Sequence, residues 1–106
     1  MAACIEACLA CHRSCLSTVA HCLKLGGHYA DAAHITLMMD CAQICVVCAD
    51  FMLRGSAHAA HLCRECAEIC RACEVSCRAH AQGDAVMLAC AEACRLCAEE
   101  CDKMSA

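Results

Sequence analysis

Apolar residues recur with the period of an α-helix along four stretches of this chain, and polar residues fill the positions between them. The inward positions alternate in steps of three and four, which is the spacing of a helix face packed in a bundle. The periodic stretches predict helices over about residues 3–25, 30–54, 57–81 and 84–104. The pattern therefore predicts an all-α protein, formed by one domain over residues 1–106.

Glycines separate the predicted helices. Gly26 and Gly27 follow the first helix, where glycine adopts the left-handed conformation after a last turn. Gly55-Ser56 lies between the second and third helices, with Ser56 predicted as an N-cap, and Gly83-Asp84 lies between the third and fourth. Loops this short place consecutive helices antiparallel. We therefore expect an up-down-up-down four-helix bundle.

The inward positions are occupied by cysteine, which accounts for 17 of the 106 residues. Thr18 stands at the one missing step of the first ladder. The core of the predicted bundle is therefore lined with sulfur. The cysteines are Cys4, Cys8, Cys11, Cys15, Cys22, Cys41, Cys45, Cys48, Cys63, Cys66, Cys70, Cys73, Cys77, Cys90, Cys94, Cys97 and Cys101.

The cysteine spacing is unsuited to disulfides within a helix but suits a metal. Side chains three or four apart on a helix have Cβ atoms about 5–6 Å apart, whereas a disulfide needs about 3.5–4.5 Å. Two sulfurs on opposite sides of a metal ion lie about 4.6 Å apart. The CxxxC pairs that fit a two-coordinate ion are Cys4/Cys8, Cys11/Cys15, Cys41/Cys45, Cys66/Cys70, Cys73/Cys77, Cys90/Cys94 and Cys97/Cys101.

Cu(I) is the soft ion that two or three sulfurs satisfy, whereas Zn²⁺ prefers four ligands. One Cu(I) for each bridging thiolate leaves the core neutral, but zinc with four thiolates keeps two negative charges in each site. We expect on the order of 15 Cu(I) ions per chain, a number that indicates storage. Protonated cysteines can also pack as small apolar residues, which would let the metal-free bundle fold.

Other soft ligands continue the inward phase at one end of the bundle. His34 and Met38 precede the cysteines of the second helix, His80 follows those of the third, and Met87 precedes those of the fourth. An antiparallel bundle brings these positions together with Cys22. Thioether and imidazole bind Cu(I) without a thiolate charge, so we predict that ions are taken up here.

Composition excludes several other functions. A net charge of −4 and 2% aromatic residues argue against nucleic-acid binding. Arg, Glu or Asp interrupts every apolar segment, so we expect no membrane span. The first cysteine comes at position 4 with no secretion signal before it, so we expect a cytoplasmic protein. No acid, base or exposed nucleophile stands apart from the repeat, and we expect no enzyme activity.

The motifs resemble those of the bacterial cytosolic copper storage proteins with a four-helix bundle. The resemblance rests on CIEACLACHRSC, the LGG turn, DCAQICVVCADFMLRGS, HLCRECAEICRACEVSC and CAEACRLCAEEC, which span nearly the whole chain. It implies many Cu(I) ions bound by inward cysteines, histidine and methionine near the open end, and a homotetramer. It implies storage or detoxification of cytosolic copper.

Three alternatives remain open from the residues alone. A zinc or cadmium thiolate store would use the same ligands. An iron-sulfur protein needs ligands that converge on one cluster, whereas these cysteines are spread along helices. A thiol redox protein needs one accessible thiolate of low pKa, and none is marked in the repeat.

Overall fold

The computed structural model describes residues 1–105, which form four long helices. They are α1 (Ala2–Leu25), α2 (Ala32–Leu53), α3 (Ala59–Ala81) and α4 (Ala85–Ser105), with a short 3-10 helix (Gly27–Ala30) before α2. Each helix packs against the next in sequence, and α4 closes the ring against α1. The predicted antiparallel four-helix bundle is confirmed.

The glycine turns lie where the sequence places them, but two helix starts differ. Gly26, at φ 70°, ends α1. Helix α2 begins after residue 30, because the 3-10 helix comes first and the Asp31 carboxylate caps α2 by accepting from the His34 N–H at 3.2 Å. The prediction of Ser56 as the N-cap of α3 is wrong. The Ser56 hydroxyl accepts from the His58 N–H at 3.1 Å, and His58 occupies the cap position.

The bundle interior consists of small and sulfur-containing side chains. All 17 cysteines are at most 1% exposed, and the other buried residues are Ala, Met, Thr18 and His34. Buried alanines such as Ala42 and Ala91 flank the cysteines where helices meet. Because these side chains are short, the helices approach closely, and the bundle measures 43 × 18 × 17 Å. This packing produces a long column of sulfur atoms inside the bundle.

Helix α2 differs from the others on its outer surface. It is the one helix among residues 1–105 whose length and composition would allow it to cross a membrane. A helix packed in a protein core has the same properties. Its inward face holds Cys41, Cys45 and Cys48 in the bundle, so at least that face packs against protein. Helices α3 and α4 instead present ion pairs to solvent, such as Arg95 with Glu99.

The close helix contact at Ala91 provides a test of the packing. Ala91 is completely buried, so Ala91→Leu forces extra atoms between helices and should lower the free energy of unfolding by about 1–3 kcal/mol. Urea unfolding of the reduced, metal-free protein measures this. Ala89→Leu, on the exposed face of the same helix, should change it by less than about 0.5 kcal/mol. Equal effects of the two substitutions would contradict the packing.

Candidate metal centre

Thirteen of the cysteines form five groups whose Sγ atoms lie within 4.8 Å of one another. The groups draw on different helices, so the antiparallel packing assembles them. Six cysteines each belong to two groups, which links the groups into one continuous array. The groups are Cys4/Cys63/Cys101, Cys8/Cys48/Cys66/Cys101, Cys45/Cys66/Cys70/Cys97, Cys11/Cys41/Cys45/Cys70 and Cys11/Cys15/Cys41/Cys94.

The sulfur atoms of neighbouring cysteines are in contact but are not bonded to one another. The Sγ atoms of Cys48 and Cys63 are 3.4 Å apart, and those of Cys15 and Cys94 are 4.0 Å apart. A disulfide bond is about 2.0 Å long, and all the cysteines are free thiols. Two sulfurs on a linear metal ion need about 4.6 Å. Neighbouring sulfurs must therefore move apart to admit a linear ion between them.

Sulfur contacts also occur within a helix, as the CxxxC spacing predicts. The Sγ atoms of Cys11 and Cys15 are 3.9 Å apart, and those of Cys66 and Cys70 are 3.8 Å apart. The larger groups, however, combine residues from three or four helices. The spacing along one helix identified the ligands in pairs but did not reveal these combinations, which depend on how neighbouring helices are rotated.

The buried thiols form hydrogen bonds with one another. A hydrogen bond from the Cys15 thiol lowers the pKa of Cys11, and donating it raises the pKa of Cys15. Burial raises the pKa of the Cys22 thiol, because a thiolate there would lose its hydration. Burial therefore opposes an uncompensated thiolate in this interior, and a cation that binds the thiols must displace protons.

The other four cysteines, Cys22, Cys73, Cys77 and Cys90, belong to none of the groups formed within residues 1–105. All four lie toward the end where α1 and α3 finish and α2 and α4 begin. His34, Met38 and Met87 are buried at the same end, and His80 is partly exposed there. This set of eight residues is called the mixed-ligand end below.

Thr18 lies between the thiol array and the mixed-ligand end. It is 1% exposed, and it occupies the step between Cys15 and Cys22. A hydroxyl is a harder and weaker ligand for a soft ion than a thiolate. One ligand of the ladder is therefore absent where the two regions meet.

His34 lies in the mixed-ligand end with one ring nitrogen hydrogen-bonded and the other free. Its Nδ1 atom lies 2.6 Å from the Ser76 hydroxyl, and its ring stacks on His80 with centroids 4.3 Å apart. Its Nε2 atom is buried and has no hydrogen-bond partner. Burial, followed by the neighbouring His80, lowers the pKa of His34. The imidazole is therefore neutral at neutral pH, which is the form that binds metal ions.

The opposite end contains a thioether that the predicted ligand set lacks. Met52 is 2% exposed, and its sulfur accepts from the Cys63 thiol at 3.9 Å. Cys63 belongs to the three-thiol group with Cys4 and Cys101. The signal was present in the sequence, since Met52 continues the phase of Cys48 at a spacing of four. Ser76 had no such signal, because its contact with His34 crosses between helices.

The donor set suits soft ions. Thiolate and thioether sulfur favour Cu(I) and other soft metals, whereas shared thiolates in overlapping groups favour bridged ions over isolated tetrahedral sites. Neutral imidazole at one end adds a further ligand of intermediate softness. The residues present therefore fit a cluster of several copper ions bridged by thiolates.

Comparisons with known proteins agree with this chemistry. A Bacillus subtilis relative described as the uncharacterized cysteine-rich protein YhjQ is 36% identical over 78 residues, which is 74% of this chain and 72% of that protein. A solved structure from Nitrosospira multiformis is 48% identical, with a TM-score of 0.90 over 97% of this chain and 92% of that one.

Two structures that contain copper are also similar. The Cu(I)-bound copper storage protein BsCsp3 is 36% identical, with a TM-score of 0.91 over 98% of this chain and 96% of that one. A cytosolic copper storage protein from Streptomyces lividans, with five coppers, is 34% identical, with a TM-score of 0.90 over 99% and 91%. The model of the family described as "Copper storage protein" matches residues 1–106. This chain therefore belongs to the copper storage protein family.

Proposed function

We propose that this protein stores copper in the cytosol as many Cu(I) ions bound by the cysteines of its single bundle domain. The observation that carries the proposal is the continuous array of overlapping thiol groups, in which six cysteines are shared. A chaperone or sensor needs one or a few sites, whereas a shared array suits dense filling. BsCsp3 is Cu(I)-bound, and the Streptomyces lividans protein is described as cytosolic.

Charge balance favours Cu(I) over zinc in this interior. Every thiol is buried, so any thiolate charge left without a counter-ion costs several kcal/mol. A monovalent ion on each bridging thiolate balances the charge, whereas Zn²⁺ with four thiolates does not. The same burial opposes a thiol redox enzyme, because such a catalyst needs an accessible thiolate. We infer a storage role without a catalytic step.

The mixed-ligand end is the place where we propose that ions are taken up and released. His80 is 27% exposed at its side chain, His34 is buried beside it, and Met38 and Met87 are buried at the same end. These ligands are neutral, so they bind Cu(I) less strongly than the thiolates. Ions would therefore pass from the weaker ligands to the stronger array.

We also propose that the chain forms the homotetramer that the family resemblance implies, with α2 in one of its interfaces. Apart from two aspartates this helix has no charged residue, and Met39 and Leu53 on its outer surface are 47% and 63% exposed. A helix that is apolar on every side normally packs on all of them. A second copy of the chain, with the same apolar face, is a self-complementary partner.

The storage proposal predicts the result of an anaerobic titration. Reduced metal-free protein should take on the order of 15 Cu(I) ions per chain, because nearly every inward thiol bridges. Competition with a Cu(I) chelator measures the uptake, and added Zn²⁺ should not displace the copper. Saturation at one to four ions, or preferential retention of zinc, would overturn storage in favour of a sensor, a carrier or a zinc protein.

The number of inward thiols should set the capacity. Thr18→Cys restores the missing step and should raise the capacity by about one Cu(I), because its side chain is already buried in register. Thr18→Val, which has nearly the same shape and no hydroxyl, should leave the capacity unchanged. Thiol counting under denaturing conditions checks that the new cysteine is reduced. An unchanged capacity in reduced Thr18→Cys would contradict the bridging scheme.

A charge on the outer face of α2 should disrupt the assembly. Met39→Glu places carboxylates in the proposed interface and should shift the protein to a smaller species, measured by light scattering after size exclusion. Val75→Glu, at a residue 69% exposed on the polar surface of α3, is the matched control and should leave the mass unchanged. A monomeric unsubstituted protein, or equal effects of the two changes, would refute the interface.

A further inference from the structure

Ser76 on α3 contacts both histidines of the mixed-ligand end. Its hydroxyl oxygen lies 2.6 Å from Nδ1 of His34 on α2. Its backbone carbonyl lies 2.9 Å from Nδ1 of His80, one turn further along α3. The two imidazoles stack with centroids 4.3 Å apart and an interplanar angle of 10°. Ser76 therefore contacts the Nδ1 atom of both imidazoles, with its hydroxyl at His34 and its carbonyl at His80.

The contact with the carbonyl defines the tautomer of His80. A carbonyl oxygen can only accept, so Nδ1 of His80 must carry the hydrogen. In a neutral imidazole the other nitrogen, Nε2, then keeps its lone pair. That atom lies 3.9 Å from the Asp31 carboxylate, which is about half exposed. His80 thus presents a lone pair at the partly exposed side of the mixed-ligand end.

The surroundings of Nε2 define the tautomer of His34. A hydroxyl can either donate or accept, so the contact with Ser76 alone permits both forms. If Nδ1 accepted, Nε2 would carry a buried hydrogen with no acceptor, and orphaned buried N–H groups are rare. If Nδ1–H donates to Ser76, Nε2 keeps a buried lone pair, which an incoming cation can satisfy. The second arrangement is therefore favoured.

The two lone pairs stand in sequence from solvent to interior. His80 is 27% exposed at its side chain, whereas His34 is 1% exposed. The imidazole of His34 lies within electrostatic reach of Cys73 and Cys90, which belong to the mixed-ligand end. An ion that binds His80 and then His34 would therefore pass from the partly exposed ligand to the buried one.

We infer that Ser76 is a positioning residue that presents Nε2 of both His80 and His34 as successive Cu(I) ligands. The role in copper uptake rests on the storage function proposed above, whereas the tautomers follow from the contacts alone. Ser76 does not bind the ion itself. It fixes which nitrogen of each imidazole is free, and outer partners of this kind typically change metal affinity or activity by about 10-fold to 100-fold when removed.

Ser76→Ala tests the two histidines separately, because it removes the hydroxyl and leaves the carbonyl. Long-range ¹H–¹⁵N spectra of the metal-free protein, recorded near pH 8, report the tautomers. The unsubstituted protein should show the Nδ1–H form at both histidines. In Ser76→Ala, His80 should keep this form and His34 should lose it. Ser76→Thr retains a hydroxyl and should restore it.

Copper uptake supplies the second measurement. Transfer of Cu(I) from a chelator should slow by about tenfold in Ser76→Ala at unchanged capacity, because the thiol array is intact. Ser17→Ala is the control, since the hydroxyl of this exposed serine donates to carbonyls of its own helix, and it should change neither measurement.

The outcomes separate this inference from the storage proposal. An Nε2–H form of His34 in the unsubstituted protein, or unchanged spectra in Ser76→Ala, would overturn the role of Ser76 whether or not the chain stores copper. Altered spectra with an unchanged uptake rate would overturn its role in uptake. A low copper capacity of the unsubstituted protein would instead refute the storage function on which that role rests.

Discussion

Buried sulfur is neutral only while a proton or a metal ion balances each thiolate, and the whole bundle is built around this constraint. An aliphatic core has no charge to balance, whereas an uncompensated buried thiolate costs several kcal/mol. All 17 cysteines are shielded from solvent; a hydrogen bond from another thiol lowers the pKa of Cys11, and burial raises the pKa of Cys22. Protons therefore maintain the metal-free fold, and an ion that replaces them one for one can fill the same interior with little rearrangement. The narrow cross-section and the buried alanines follow, because sulfurs must approach within bonding reach of a shared ion.

The two ends of the bundle differ in the side chains that they offer to a metal ion. At the Met52 end the thiols already form a three-membered group, and through the middle they form overlapping groups of four. At the other end neutral imidazole and thioether ligands join four cysteines that lie outside those groups. Under the proposed storage function, the change from weak neutral ligands to shared thiolates would favour movement of ions toward the interior.

The helices and their inward residues could be predicted from the sequence, because both depend only on the spacing of residues within a single helix. The steps of three and four placed every cysteine on a single face, and Gly26 and Gly83 marked real turns. Ser56 misled the prediction of a cap, since its hydroxyl bonds within the turn before α3. The thiol groups, which each combine three or four helices, and the contact between His34 and Ser76 could not be predicted, because they depend on the rotation and height of neighbouring helices. Periodicity thus identifies candidate ligands, but packing decides which of them meet.

The shared cysteines also suggest how a closed store can fill from one end. Cys11 and Cys41 belong to the same two neighbouring groups, and Cys45 and Cys70 link one of these to the next. An ion can therefore exchange one sulfur at a time and move to the adjacent group while it stays bound, which avoids releasing a bare cation into an apolar interior. Isolated tetrahedral sites would lack this property, since each step would leave charge uncompensated. The overlap that favours Cu(I) over zinc thus also connects Cys15 and Cys94, near the mixed-ligand end, to Cys4 and Cys63 at the Met52 end.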